Sequence, residues 1–417
     1  MKTIRLYIAL ILIAAIAAGI TGCVASVKAG DLMDGMSPNS VNGKPADAAF
    51  TSGMADFSLE LFKKSITAKE NSLISPLSVT LALAMTANGA DADTLKQMET
   101  LLGGGIRIGE LNEYLYSYIN RLPNMEKSKL SIANSIWFRD DKNLLHVESD
   151  FLQKNADYYN ASVFSAAFDR QTVKEINDWV KKNTDGMIDN IIEEIDKSQM
   201  LFLINAVAFD AEWATIYEKS SVREDTFTNI HGKKQTVSLM HSTEHRYLED
   251  ALSTGFVKPY YNEKYSFVAL LPNEGVPIET YIESLTGAGF MNMLRSAKNT
   301  IVHASMPKFE YEYEIGLVGV LKDLGMTDAF YADKADFSKM AQSSLGELYI
   351  GGVLHKTFIK VDERGTKAGA VTAVIMTTTS APPVDPPKIV RLDRPFVYAI
   401  IDNATNLPVF IGTVMSI

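Results

Sequence analysis

The stretch from Glu363 to Pro395 constrains this chain more than any other part of its sequence. Its first half, Gly365-Thr366-Lys367-Ala368-Gly369-Ala370-Val371-Thr372-Ala373-Val374-Ile375-Met376, is small, uncharged after Lys367 and rich in β-branched residues, so it can be a strand. Its second half holds Pro382, Pro383, Pro386 and Pro387, which have no N–H to give to a ladder. The whole is long for a connection inside a compact domain, which marks a functional loop or a disordered one. Alternation places Thr366, Ala368, Ala370, Thr372, Val374 and Met376 on one strand face, with Lys367, Gly369, Val371, Ala373 and Ile375 on the other. The first row grows from small to large, as a strand slotting between neighbours requires. Gly365, just before it, lets the backbone fold over without a Cβ clash. A disordered Ala/Thr/Pro linker has the same composition. Against that reading stand Phe396 to Ile401 and Leu407 to Val414, two apolar runs joined by Asp402-Asn403-Ala404-Thr405-Asn406. That is a hairpin signal, and it puts core strands directly after the prolines.

The rest of the composition is that of a globular chain, 47% hydrophobic and 22% charged. A formal net charge of −10 argues against a nucleic-acid partner, because basic patches supply that affinity. Cys23 is the one cysteine, so no intramolecular disulfide can form. Lys2 and Arg5 precede an apolar stretch of about fifteen residues, Leu6 to Ile20, too short for a typical membrane span and of signal-peptide form. It ends in Ile20-Thr21-Gly22-Cys23, which resembles the bacterial lipobox. That resemblance implies cleavage before Cys23 and lipidation of its thiol. An ordinary signal peptide with an incidental cysteine is the alternative, and the placement of the lone cysteine favours the lipoprotein. The expected division is a signal peptide over 1–22, a lipidated Cys23 with a flexible Gly/Ser/Ala/Asn-rich tether to 49, and one domain over 50–417. The expected location is outside the cell membrane, anchored to it and facing the extracellular or periplasmic side.

Along the chain, the apolar stripe of Phe57, Leu59, Leu61 and Phe62 predicts a helix over 55–65. Ser75-Pro76 is a helix start, and the helix after it is apolar nearly all round, so it should be buried. Asp93 to Leu102 predicts a shorter helix stopped by Gly103-Gly104-Gly105. Leu130 to Phe138 alternates toward a strand, and Thr172 to Thr184 reads as a helix with Ile176, Trp179 and Val180 on one face. Met200 to Phe209 is apolar nearly throughout and reads as a strand covered on both faces. Phe256 to Tyr261, Tyr265 to Pro272, Val302 to Phe309 and Leu348 to Val361 read as strands, and Ile315 to Leu324 as a helix stopped by Gly325. Helices dominate the first half and strands the second, an α+β pattern.

Many separate pieces resemble the serpins, the serine protease inhibitor superfamily, over about residues 50 to 417. Asn71 with Ser75-Pro76-Leu77-Ser78 is similar to the start of that family's central buried helix. Gly89-Ala90, Thr94 and Gln97 follow in the family's spacing, with Ala92 where glycine is usual. Ala133-Asn134-Ser135-Ile136-Trp137-Phe138 resembles the second strand of the main sheet. Ile176-Asn177, Trp179-Val180, Thr184, Gly186 and Ile188 resemble the helix lying across it. Asn205-Ala206-Val207-Ala208-Phe209 with Trp213 resembles the third strand, with Asp210 and Ala211 in place of the usual Lys-Gly. Pro307-Lys308-Phe309, Leu324-Gly325-Met326, Asp328-Ala329-Phe330, Ala335-Asp336-Phe337-Ser338, Arg394-Pro395-Phe396 and Phe410-Ile411-Gly412 also match.

The resemblance implies the serpin fold: α+β, three β-sheets, about eight or nine helices and an exposed reactive-centre loop, here about 363–394. Glu363, Gly365, Thr366, Ala368, Ala370 and Thr372 resemble the hinge of inhibitory members, where Arg364, Lys367 and Gly369 depart from the usual residues. Ser75, Ser78, Asn205 and His355 resemble the shutter that bridges the two strands which separate on insertion. The implied partners are serine proteases, held covalently by a monomer that is not an enzyme and needs no cofactor. Counting from Gly365 puts the reactive bond at Thr379–Ser380, whereas counting back from Arg394-Pro395-Phe396 puts it near Asp385; Pro386 disfavours the second. With no Arg or Lys between Lys367 and Lys388, elastase-like or subtilisin-like targets are expected, with cutting at Met376 a lesser outcome. The competing reading within the family is a non-inhibitory binding or chaperone module. An enzyme finds little support: no Gly-x-Ser-x-Gly elbow occurs, and His241 with His245, a spacing suited to metal on a helix, sits in a stretch that reads as a strand.

Overall fold

The apolar run that starts at Met200 becomes a strand, β6 (Leu201–Glu212), buried on both faces as far as Phe209. Such a strand needs neighbours at both edges and layers on both faces. The computed structural model describes residues 28–67, 69–122, 127–140, 144–196, 199–344, 346–366 and 386–417. Among these, a seven-stranded sheet runs in the order β1 (Gly30–Asp31), β5 (Ser162–Ala166), β3 (Ser128–Arg139), β6, β15 (Gly365–Thr366), β14 (Gly352–Val361), β12 (Phe309–Gly316). A second sheet combines β2 (Ser72–Ile74), β7 (Val222–Thr228), β8 (Lys234–Glu249), β9 (Ser253–Pro259), β10 (Tyr265–Pro272), β11 (Lys298–Pro307), β16 (Lys388–Arg391), β17 (Phe396–Asp402) and β18 (Pro408–Val414). A third pairs β4 (Leu145–Val147) with β13 (Ala341–Ser343). The α-helices among the described residues are α1 (Ala48–Ser65), α2 (Pro76–Ala87), α3 (Ala92–Gly103), α4 (Ile108–Arg121), α5 (Ser149–Tyr159), α6 (Arg170–Asn183), α7 (Ile278–Ser284), α8 (Gly287–Arg295) and α9 (Val318–Asp323). This is the mixed α+β architecture with three sheets that the resemblance implied.

Alternation along β6 sends Leu203, Asn205, Val207 and Phe209 toward the main core and Phe202, Ile204 and Ala206 toward a second core. The first face meets α2, which is buried at every position. The Ser75 side chain caps α2 by accepting the Ser78 amide at 3.4 Å, and Pro76 occupies the first turn, where its missing N–H costs nothing. The second face is covered by Ile176 and Val180 of α6 and by Ile188, Ile191 and Ile192 of the segment that follows it. Asn177 stitches that segment back onto α6: its Oδ1 accepts the Ile191 and Ile192 amides and its Nδ2 donates to the Ile192 carbonyl.

Two expectations need correction. The helix expected over 315–324 exists only as α9, because the strict alternation of Phe309-Glu310-Tyr311-Glu312-Tyr313-Glu314 continues as β12 to Gly316. The expected tether to residue 49 is, over 28–47, docked chain. The Ala29 amide donates to Glu175 at 2.8 Å, and Gly30 and Asp31 pair with Ser165 and Phe164 at the edge of the first sheet. The Asn39 amide donates to Asp157 at 2.7 Å, Gln153 donates to the Ser37 carbonyl at 3.0 Å, and Lys44 pairs with Glu110. A Cβ on Gly43 would lie 2.1 Å from Ser117 Oγ, so here the small residues serve close packing rather than flexibility. Asp47 then caps α1, which starts at Ala48, ahead of the expected 55.

Candidate functional site

Thr366 is the last described residue before Pro386, and it lies in the seven-stranded sheet. The chain is held tightly there. After β14 the backbone reverses: the Asp362 amide donates to the Gly365 carbonyl at 3.0 Å, and the Arg364 amide to Asp362 Oδ1 at 2.9 Å. The reversal places Gly365 and Thr366 between β6 and β14, with Thr366 opposite Ala211 on one side and Val361 on the other. Gly365 is required there, since a Cβ would sit 2.0 Å from the Ala211 carbonyl oxygen. Thr366 is buried, and its Oγ1 lies 2.6 Å from the Tyr260 hydroxyl.

Residues beyond β6 grip the same turn. The Trp213 amide donates to Arg364 O at 2.8 Å, the Tyr217 amide to Glu363 O at 2.8 Å, and the Trp213 indole N–H to Asp362 O at 2.9 Å. Tyr260 stacks on Trp213 with ring centroids 4.5 Å apart and meets Phe209 edge-on at 5.1 Å. The Glu363 carboxylate pairs with Lys308 at 2.6 Å, and the hydrogen bond from Lys308 holds it below the ordinary carboxylate range. Both partners are more than a third exposed, so that pair contributes at most about 1 kcal/mol.

Below the wedge, β6 and β14 pair directly and in parallel, Phe202 to Val207 against Gly352 to Thr357. Here the structure brings together Ser75, Ser78, Asn205 and His355. The His355 ring is fully buried and its Nε2 accepts the Ser75 amide at 3.1 Å. Its proton is therefore on Nδ1, which donates to Asn205 Oδ1 across the parallel pair. Asn205 Nδ2 donates to Ser78 Oγ at 2.5 Å and to Asn134 Oδ1 at 2.6 Å, and Asn134 Nδ2 returns a bond to the Ser78 carbonyl at 3.1 Å. Every nitrogen of the imidazole has a partner, and burial pushes its pKa down to about 3.

Of the expected site residues, Glu363, Gly365 and Thr366 thus cluster at the top of the β6–β14 junction, and Ser75, Ser78, Asn205 and His355 lower down. Cys23, Ala368, Ala370, Thr372, Thr379 and Ser380 lie outside the described residues. His241 and His245 lie on β8, and His241 Nδ1 bonds Ser305 Oγ at 2.9 Å. Asn134, Trp213, Tyr217 and Tyr260 complete the site: Asn134 and Trp213 stood in the pieces that carried the resemblance without a site role, and Tyr217 and Tyr260 had no local signal.

A family model described as serpin (serine protease inhibitor) matches residues 52–417. The chain is 30% identical over 370 residues to an uncharacterised serpin-like protein of Thermococcus kodakarensis, covering 86% of this chain and 84% of that protein. It is 29% identical to human neuroserpin over 380 residues, 87% of this chain and 90% of neuroserpin. The crystal structure of tengpin, a thermophilic serpin, in the native state superposes with a TM-score of 0.89 at 57% identity, covering 94% of this chain and 100% of that one. Tengpin in the latent state superposes less well, with a TM-score of 0.80 at 58% identity over 90% and 100% of the two chains.

The buried imidazole makes stability depend on pH. The unfolded histidine titrates near 6.5 and the folded one near 3. Between these values the unfolded chain binds a proton that the folded one refuses, so stability is level above pH 6.5 and falls as pH drops toward 3. The expected loss from His355 is about 2 kcal/mol by about pH 5. Melting wild type and His355→Gln at neutral and at mildly acidic pH checks this. The wild type should lose that much more than the variant; equal losses would rule the assignment out.

Proposed function

The chain belongs to the serpin family, and we propose that within it this protein is a suicide-substrate inhibitor of serine proteases. Serpins typically inhibit proteases, and some, thyroxine-binding globulin among them, are non-inhibitory. The observation that carries the inhibitory reading is the seat of Gly365 and Thr366 above a closed parallel pair. A strand continuing from Thr366 would run antiparallel to both neighbours. Extended in the present register, residue 376 comes opposite Leu201, the first residue of β6. Counted down β6 or down β14, the residue arriving between Asn205 and His355 is the same, Thr372. Its hydroxyl would stand where insertion breaks the Asn205–His355 bond. Ala368, Ala370, Val374 and Met376 would join Thr366 on the core face, while Lys367 would fall on the opposite one.

The chemistry belongs to the protease. Its serine Oγ attacks the Thr379 carbonyl, the Thr379–Ser380 bond breaks, Ser380 leaves as a free amine and Thr379 stays esterified. The freed limb, Thr366 to about Thr377, then inserts before water reaches the ester. Exchanging one parallel pairing for two antiparallel ladders, with Val374 and Met376 buried, yields on the order of 10 kcal/mol or more. That drags the esterified protease along and distorts its active site. Thr377, Thr378 and Thr379 suit an elastase-like or subtilisin-like pocket. The better superposition on the native than on the latent relative, at equal identity, supports a state in which the loop is still available.

Incubation with elastase-like and subtilisin-like proteases tests this. The wild type should give a complex stable to denaturant and a small C-terminal fragment beginning at Ser380. A fragment from Thr377 moves the bond to Met376, and one beginning after Asp385 overturns the assignment. Thr366→Arg should be cut as readily without a complex, because a long charge would have to be buried unpaired beside Tyr260. Cleavage of the wild type without any complex would favour the non-inhibitory reading.

The proposed location is the outer face of the cell membrane, through a lipid on Cys23. Because the chain is docked from residue 28, only the seven steps from Cys23 to Gly30 separate the lipid from the sheet edge, about 25 Å when fully extended. Cys23→Ser should release the protein from the membrane fraction or block processing; unchanged fractionation and mobility of the mature chain would sink the anchor.

A further inference from the structure

The segment Trp213–Tyr217 leaves β6 and holds Glu363 and Arg364 through the amides at its two ends. The segment itself is held by the Ala214 amide, which donates to the Pro259 carbonyl at 3.0 Å, by the stack of Trp213 on Tyr260, and by a buried ion pair. Lys258 of β9 is 2% exposed, and its Nζ donates to the Thr215 carbonyl at 3.2 Å and to Glu244 Oε1 of β8 at 2.9 Å. The ring centroids of Tyr217 and Trp213 lie 4.4 and 5.4 Å from the same nitrogen. Glu244 also accepts from Ser242 Oγ at 2.7 Å, and Ser242 reaches the Tyr217 hydroxyl at 3.4 Å. One ammonium thus touches the middle of the segment and the rings at both its ends. Two residues on, just past the end of β9, Tyr260 holds Thr366. A buried ion pair is weak evidence for stability, since apolar residues of similar volume often do as well. What it does supply is one fixed backbone path, because its donors are satisfied in a single arrangement.

We propose that the Lys258–Glu244 pair is a positioning device for the loop. It fixes Trp213–Tyr217 in the shape that keeps Asp362 to Thr366 seated between β6 and β14. Insertion after cleavage then extends a strand already begun and does not have to start one. This rests on the inhibitory reading. Starting a strand orders residues and parts two neighbours before any ladder forms, whereas each later residue adds its bonds as it is ordered. A loosened seat gives water more time at the ester, so more molecules are consumed as substrate.

Lys258→Met combined with Glu244→Met removes both charges and leaves no lone one buried. The melting temperature should stay close to that of wild type. Amide hydrogen exchange at residues 362–366 of the uncut protein should rise about tenfold, the factor that one charge-assisted hydrogen bond supplies. The stoichiometry of inhibition should rise with it, while the rate of loop cleavage is unchanged. Should that variant not fold, Lys258→Met with Glu244→Gln keeps the Ser242 bond and carries the same test. Unchanged exchange at 362–366 in a folded variant overturns the positioning role, whatever the proteases show. Faster exchange with unchanged stoichiometry also overturns it. If the wild type traps no protease at all, the inhibitory reading falls separately, and exchange still decides whether the pair holds the seat.

Discussion

Two strands that run the same way, β6 and β14, lie side by side at the centre of the seven-stranded sheet, and the hydrogen bond from His355 to Asn205 crosses between them. Parallel pairing is slightly weaker per residue than antiparallel pairing, and a parallel pair has one natural way to be improved: a strand of opposite direction placed between its members. The wedge of Gly365 and Thr366 shows that this geometry is already met at one end. Below the wedge the pair is closed, and the polar bridge across it is what the proposed insertion would have to open. Ser75 and Ser78 present their polar atoms to the junction because α2 begins there, so a helix cap doubles as the bridge across two strands.

That junction contains polar groups in a place where an unpaired one would cost about 1–3 kcal/mol. Each has a partner, and the imidazole is kept neutral by burial, so it can both donate and accept. A charged ring would present a second donor to the Ser75 amide. The closed state thus depends on one tautomer. If a strand enters as proposed, these polar atoms are ones its hydroxyl could satisfy again, whereas an apolar junction of the same shape would offer it no bonds to exchange.

Much of this was legible in the sequence, and what was legible was local. The cap at Ser75, the buried helix after it, the strand covered on both faces and the C-terminal hairpin all rest on neighbouring residues or a short period. Asn205 and His355 stood out through resemblance, and the fold brings them into contact. The grip on the loop was not legible, because it joins Trp213 to Asp362 and Tyr260 to Thr366 across more than a hundred residues. Nor was the docking of residues 28–47: Gly, Ser and Asn suit a free tether and a closely packed arm alike, and only Ser117, Asp157 and Glu175 decide between them. The helix expected over 315–324 failed because the two-residue period of β12 ran further than its apolar residues suggested.

If the loop inserts as proposed, the division of its sequence into two halves follows from the length of the sheet. β6 begins at Leu201, so a strand entering in the register of Thr366 runs out of partner at Met376. Under the proposed mechanism the composition up to that residue would have to suit both water before cleavage and a slot between strands after it, and small or β-branched residues with free N–H groups suit both. Beyond it no ladder would have to be made. Pro382 is six residues further on, and prolines recur through Pro387, just before β16 begins at Lys388. The proposed reactive bond, Thr379–Ser380, falls in sequence between the two regimes: past the last residue β6 could pair in that register, and before the first proline, which would resist the extended fit of a protease cleft. On that proposal a bond placed earlier would shorten the inserted strand, and one placed later would fall among prolines.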